Sequence, residues 1–214
     1  MTSLRITEIF HSLQGEARTV GVPTVFVRLT GCPLRCGYCD TEYAFSGGEI
    51  MSLESIVEQV RQYGTQYVTV TGGEPLAQKE CLPLLVALCD EFEEVSLETG
   101  GALDVAEVDS RVVKVMDLKT PDSGELERNL YSNIQFLKHR DQLKFVICSR
   151  KDYDWAKMQL DVRELKGRVS DILFSPCHGS LEPKELAAWI LEDKLAVRFQ
   201  LQLHKIIWGD KTGV

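Results

Sequence analysis

The chain has 214 residues, enough for one sizeable domain with a substantial core. Hydrophobic residues make up 44% and charged residues 26%, as in an ordinary globular protein. The net charge of −8 gives no attraction to nucleic acid or anionic membranes, and no apolar run approaches the roughly 20 residues that span a bilayer.

The first residues, Met1-Thr2-Ser3-Leu4-Arg5, begin a strand-like pattern and carry no signal-peptide apolar core. The seven cysteines are odd in number and lack a disulfide-scaffold pattern, which points to a reducing cytoplasm. Arg5–Phe10 alternates like a half-exposed strand, and His11-Ser12-Leu13-Gln14-Gly15-Glu16 follows it. After a turn at Gly21-Val22-Pro23, Thr24–Leu29 is β-branched and reads as a buried strand. It contains one charge, Arg28, which needs a partner there: either a core carboxylate or a bound anion gripped bidentately.

The next stretch, Gly31 to Thr41, packs Cys32, Cys36 and Cys39 into eight residues as C-x3-C-x2-C. No fourth cysteine or histidine follows at zinc-knuckle distance. Three thiolates on one short loop can hold three irons of a 4Fe–4S cubane and leave the fourth open to an outside ligand. Buried packing thiols, or a zinc site completed from elsewhere in the chain, are the alternatives.

Beyond Gly47-Gly48, Ser52 caps a helix whose apolar face is Leu53, Ile56, Val57 and Val60. Tyr67–Thr71 is a strand running into Thr71-Gly72-Gly73-Glu74-Pro75, where the glycine pair lets the backbone approach a ligand closely. Lys79–Phe92 is an amphipathic helix, with Cys81 and Cys89 as packing residues. Val95–Leu97 is a strand ending in Glu98-Thr99-Gly100-Gly101, and Val112–Leu118 another ending in Asp117-Leu118-Lys119. Thr120–Arg128 reads as a loop and Tyr131–Leu137 as a short helix. Gln142–Cys148, Val169–Phe174 and Ala196–Leu203 read as strands, and Asp152–Leu165 and Glu182–Glu192 as helices. Val169–Phe174 runs into Ser175-Pro176-Cys177-His178, and the tail carries His204 and Trp208.

Strand and helix alternate nearly throughout, which predicts an α/β fold with a mostly parallel sheet and helices outside. With about six or seven strands it is a partial, open TIM-like β/α barrel. The polar and Gly-rich motifs fall at strand C-termini, where such folds bind ligands.

The cysteine loop resembles that of the radical S-adenosylmethionine (SAM) enzymes, with Tyr38 as the aromatic residue before the last cysteine. The resemblance implies a partial barrel, a 4Fe–4S cluster on Cys32, Cys36 and Cys39, and SAM chelated to the open iron. Gly72-Gly73-Glu74-Pro75, one βα unit later, matches the family's SAM methionine-binding motif. Glu8 to Glu16, Phe26-Val27-Arg28-Leu29, Cys39-Asp40-Thr41 and Gln202-Leu203-His204-Lys205 together resemble the 7-carboxy-7-deazaguanine synthase family nearly end to end. That family converts 6-carboxy-5,6,7,8-tetrahydropterin to 7-carboxy-7-deazaguanine, a step toward queuosine, as a Mg2+-dependent homodimer.

The resemblance further implies SAM contacts at Tyr38, Cys39, Asp40, Gly72, Gly73, Glu74, Asp117, Leu118 and Lys119, and Mg2+ on Thr41. It implies pterin contacts at Leu13, Gln14, Gly15, Arg28, Thr71 and His204. A flavodoxin or ferredoxin is the implied reductant. Two departures stand out: Ala17, where the family often carries Gly, and Asp117-Leu118-Lys119, where it usually has Ser-Pro-Lys. A radical SAM glycyl-radical activase acting on a protein, or a non-catalytic zinc module, are the other readings.

Overall fold

A computed structural model describes residues 2–214; Met1, where the N-terminal strand-like pattern begins, lies outside the described residues. Strand β1 (Ser3–Leu13) folds back on β2 (Pro23–Leu29) as an antiparallel pair, with Phe10 opposite Phe26. From β2 onward the sheet is parallel. β4 (Tyr67–Gly72), β5 (Glu94–Thr99), β6 (Val113–Asp117), β7 (Gln142–Ile147), β8 (Asp171–Pro176) and β9 (Arg198–Phe199) pair in sequence order. β3 (Glu49–Ser52) pairs with the outer side of β1. The sheet order is β3-β1-β2-β4-β5-β6-β7-β8-β9, with β3 and β9 at opposite edges, so the barrel is open.

Helices α1 (Leu53–Arg61), α2 (Cys81–Cys89), α3 (Arg150–Val162) and α4 (Pro183–Glu192) lie between strands, and α5 (Leu203–Trp208) closes the chain. Ser52 does cap α1: its Oγ accepts from Ser55 N at 3.1 Å. Buried residues gather into two clusters. One joins α1 and α2 to β1, β2, β4 and β5 through residues such as Val27, Ile56 and Leu84. The other joins α3 and α4 to the later strands through Phe145, Tyr153 and Leu186. Cys81 is fully buried in the first cluster and Cys89 packs against it, as their helical spacing predicts.

Three elements differ from the sequence expectation. The short β3 is a strand because β1 offers it a free edge, not because its own pattern demands one. The last strand shrinks from Ala196–Leu203 to Arg198–Phe199, since Leu203 opens α5. Tyr131–Phe136 is 3-10 rather than α-helical. The parallel run alone matches the six or seven strands read from the pattern; β1 and β3 extend it with antiparallel neighbours.

An internal ion pair ties the middle of this sheet. Lys114 Nζ lies 3.0 Å from Asp141 Oδ2, with both side chains almost wholly buried. The same carboxylate accepts from Lys114 N at 2.9 Å and from Lys138 N at 2.8 Å. Asp141→Ala leaves a buried ammonium and two amides unpaired, so it is expected to lower stability by about 3–5 kcal/mol. Urea unfolding of the two proteins, compared at equal m-value, measures this.

Candidate active site

The C-terminal ends of the parallel strands open onto one cavity of about 480 Å³. Its first wall is the cysteine loop. Cys32, Cys36 and Cys39 are half-buried, all three line the cavity, and none is in a disulfide. Burial pushes the Cys36 thiol up, and the Lys119 ammonium acts against that. Among the described residues, no three His, Cys, Asp or Glu side chains converge on a single metal ion. The donor set is therefore three thiols facing open space, which suits a multi-iron cluster with a free position better than a closed zinc site.

Backbone contacts set the loop in place. Gly31 N donates to Ala44 O at 2.8 Å, and Glu74 N donates to Gly31 O at 2.9 Å. A β-carbon on Gly73 would lie 2.5 Å from Gly31 O and 2.7 Å from Cys32 Cβ. One on Gly72 would lie 2.3 Å from Leu29 O. The glycine pair therefore makes room for the cysteine loop itself, while both residues also line the cavity.

Glu74 does not reach that cavity. Its carboxylate is fully buried and accepts from Leu76 N, Thr99 Oγ1 and Gly100 N at 2.7 to 3.1 Å. Burial raises its pKa, and those three donors oppose the rise. Glu74 thus braces the β4 and β5 ends, and its side chain is not free for the cofactor contact expected of it. Leu118 differs in the same way: its side chain is wholly buried in the second core cluster. Its neighbours point the other way. Asp117 and Lys119 line the cavity and pair at 2.9 Å, and Lys119 Nζ stands 5.7 Å over the Tyr38 ring. Asp40 and Thr41 also line it, and Thr41 Oγ1 donates to Asp40 Oδ1 at 2.8 Å.

The opposite wall is polar. Gln14 Nε2 donates to Thr69 Oγ1 at 3.0 Å and to Glu98 Oε1 at 3.4 Å, and Thr71 Oγ1 donates to Glu98 Oε2 at 3.0 Å. Arg28 sits opposite Thr71 in the β2–β4 register. Its Nε donates to Glu8 Oε1 at 2.7 Å, Tyr43 donates to the same oxygen at 2.8 Å, and the guanidinium lies 5.8 Å from the Phe10 and Tyr43 ring centres. The core-carboxylate reading of Arg28 holds: Nε is spent on Glu8, and the side chain also lines the cavity.

Leu13, Gly15 and His204 complete this wall. Leu203 N donates to Gly15 O at 2.9 Å, and a β-carbon on Gly15 would lie 2.1 Å from His204 Nδ1. Gly15 is thus the seat of α5. Burial lowers the His204 pKa, with Glu16 and Asp40 acting against it. Ala17 holds a positive φ of 62°, which explains why glycine suits this position. The Gln200 side-chain amide fixes it there through two 2.8 Å bonds to the Ala17 N and O.

Glu98 lines the cavity, at one of the strand ends expected to bind ligands; Lys144 and Glu16 also line it and were not among the expected site residues. The signal for Lys144 was available: like Arg28, it is a charge inside an apolar strand. Lys144 pairs with Glu16, which also accepts from Gln202 Nε2 at 2.9 Å. Burial alone would raise the Glu16 carboxyl, yet the Lys144 ammonium and the two hydrogen bonds carry it from 4.5 down to about 2. A carboxyl lowered on folding stabilises above its unfolded pKa and loses that contribution as pH falls through the folded one. The loss from Glu16 therefore falls between about pH 4.5 and 2. In an acid titration of stability, Glu16→Gln is expected to start lower at pH 7, with Lys144 unpaired, and to fall less steeply across that window. Equal slopes in the two proteins would disprove the assignment.

The chain is similar to known proteins in sequence and fold. Residues 26–117 match the description of the radical SAM superfamily. A 7-carboxy-7-deazaguanine synthase of Chlorobaculum tepidum is 46% identical over 99% of this chain and 97% of its own length. One from Thermoplasma acidophilum is 36% identical over 98% of this chain and 99% of its own. The fold is similar to the crystal structure of QueE from Escherichia coli, with a TM-score of 0.74 at 22% identity, covering 94% of this chain and 95% of that one. With the three-cysteine loop, the glycine pair and near full-length similarity in hand, the chain belongs to the 7-carboxy-7-deazaguanine synthase family of the radical SAM superfamily.

Proposed function

We propose that this chain is itself a 7-carboxy-7-deazaguanine synthase, a lyase that contracts 6-carboxy-5,6,7,8-tetrahydropterin to 7-carboxy-7-deazaguanine with loss of ammonia, on the way to queuosine and other 7-deazapurines. One observation supports the reading: three clustered thiols, a set of hydrogen-bonding side chains and a guanidinium line a single cavity. The cluster and SAM, when bound, supply the one-electron cleavage of a sulfonium and the radical that takes a hydrogen from the pterin.

The residues divide the remaining work. Cys32, Cys36 and Cys39 hold the cluster, with the buried Lys119 ammonium offsetting part of its negative charge. Tyr38, Asp40, the backbone of Gly72 and Gly73, and Asp117 surround SAM. Glu74 acts at one remove, by holding Thr99 and Gly100 in position. Gln14 and Thr71, both tied to Glu98, present amide and hydroxyl groups to the flat edge of the pterin, and Leu13, Gly15 and His204 pack beside it. Arg28 grips the carboxylate through the nitrogens that Glu8 leaves free. The Thr41 hydroxyl, with the Asp40 carboxylate beside it, is a hard-oxygen pair suited to Mg2+.

The chain acts as one domain, reduced by a flavodoxin or ferredoxin, in the cytoplasm. The seven free cysteines support that compartment, and no described helix is long and apolar enough to cross a membrane. A homodimer is part of the reading, supported by the exposed Ile206, Ile207 and Trp208 of α5.

Anaerobic reconstitution with iron and sulfide, followed by SAM, dithionite and the carboxypterin, tests the proposal. The loaded protein is expected to hold about four irons and four sulfides and to turn over the pterin with no protein partner present. Turnover only with a protein partner would instead make it an activase. Cys32→Ala, Cys36→Ala and Cys39→Ala are each expected to abolish SAM cleavage. Arg28→Ala is expected to spare SAM cleavage and to raise the pterin KM about tenfold or more, the loss of a charge-assisted fork. An unchanged KM removes Arg28 from the substrate site.

A further inference from the structure

Two thiols beside the site have no part in the scheme above. β7 and β8 are parallel neighbours with Ile147 opposite Pro176, so the next residues of each strand, Cys148 and Cys177, stand side by side. Cys177 N donates to Ile147 O at 2.8 Å, which keeps the two backbones at strand spacing past the last paired residues. That spacing, about 4.8 Å, lies within the Cα separation that a disulfide accepts. Both cysteines are free.

Their environments differ. Cys177 lines the cavity, its thiol donates to His178 O at 3.9 Å, and Cys148 and Ser180 are its neighbours. Cys148 and Ser180 beside it lower the Cys177 pKa, and the neighbouring Cys177 and burial raise that of Cys148. The Cys148 backbone N is held by Asp152 Oδ2 at 3.0 Å. The Tyr38 hydroxyl, another group of this site, is buried and unpartnered. The pair therefore combines a buried thiol at the cavity wall with an adjacent thiol that can resolve it.

We infer that Cys148 and Cys177 form an exchange-active dithiol that closes, with a small organic disulfide as oxidant, to a reversible intrachain disulfide in the cavity wall behind Tyr38. The Cys177 thiolate attacks one sulfur of the oxidant, forming a mixed disulfide and expelling the first thiolate. The Cys148 sulfur then attacks Cys177 Sγ, and its proton goes to the second departing thiolate. Two protein thiols are oxidised and one organic disulfide is reduced to two small thiols.

The test uses the cluster-loaded protein, in which the loop thiols are occupied, with cystamine as oxidant under anaerobic conditions. Mass spectrometry of a tryptic digest follows the peptides 145–150 and 169–184, which carry Cys148 and Cys177. The expected result is a link between these two peptides, loss of both thiols and reversal by a dithiol reductant. Cys177 is expected to exchange at least about tenfold faster than Cys89, a half-buried thiol without a partner. Cys148→Ser is expected to stop the reaction at a mixed disulfide on Cys177. Exchange at Cys89 with Cys177 untouched, or a mixed disulfide on Cys177 in the wild type that never resolves, overturns the proposal.

Discussion

The close approach of two strand-end loops governs this molecule. The loop after β2 carries the cysteines and the loop after β4 carries the glycine pair, and they interlock through backbone atoms. Gly73 leaves no room for a side chain against Gly31 O and Cys32 Cβ, and the amides of Gly73 and Glu74 donate to Leu29 O and Gly31 O. A cysteine loop held only by its own chain would be free to splay its thiols. Held against β4, it presents all three to one cavity. Glu74 secures the second loop from beneath, bonding across to Thr99 and Gly100 on β5.

The parallel sheet makes that interlock possible. Parallel order places every strand's C-terminus on the same rim, so residues far apart in sequence meet there without long-range loops. Leu29 stands opposite Gly72, and Arg28 opposite Thr71, because β2 and β4 are in register. The same alignment brings Cys148 beside Cys177 on the far side of the rim. The two antiparallel strands serve the site differently. β1 delivers Leu13 and the residues just beyond it, Gln14 to Glu16, to the opposite wall, and supplies the Glu8 that orients Arg28.

The buried lysines of the sheet and rim are each paired with a carboxylate. Inside the sheet, Lys114 and Asp141 neutralise each other and collect nearby amides. At the rim, Lys144 with Glu16 and Lys119 with Asp117 place fixed cations in a low-dielectric wall without leaving either uncompensated. Arg28 and Lys119 likewise line the cavity.

The sequence by itself determined the cysteine spacing, the glycine pair one βα unit later, the parallel α/β order and the placement of polar motifs at strand ends. These are local patterns, carried by neighbouring residues and by side-chain periodicity. Only the tertiary structure decided which member of each motif faces the cavity. Glu74 and Leu118 turn inward because Thr99 with Gly100, and the second core cluster, offer them partners that no local pattern announces. Lys144 and Glu16 join the site, and β3 becomes a strand, for the same reason: each depends on a partner brought near by the fold, across a distance along the chain that residue spacing cannot encode.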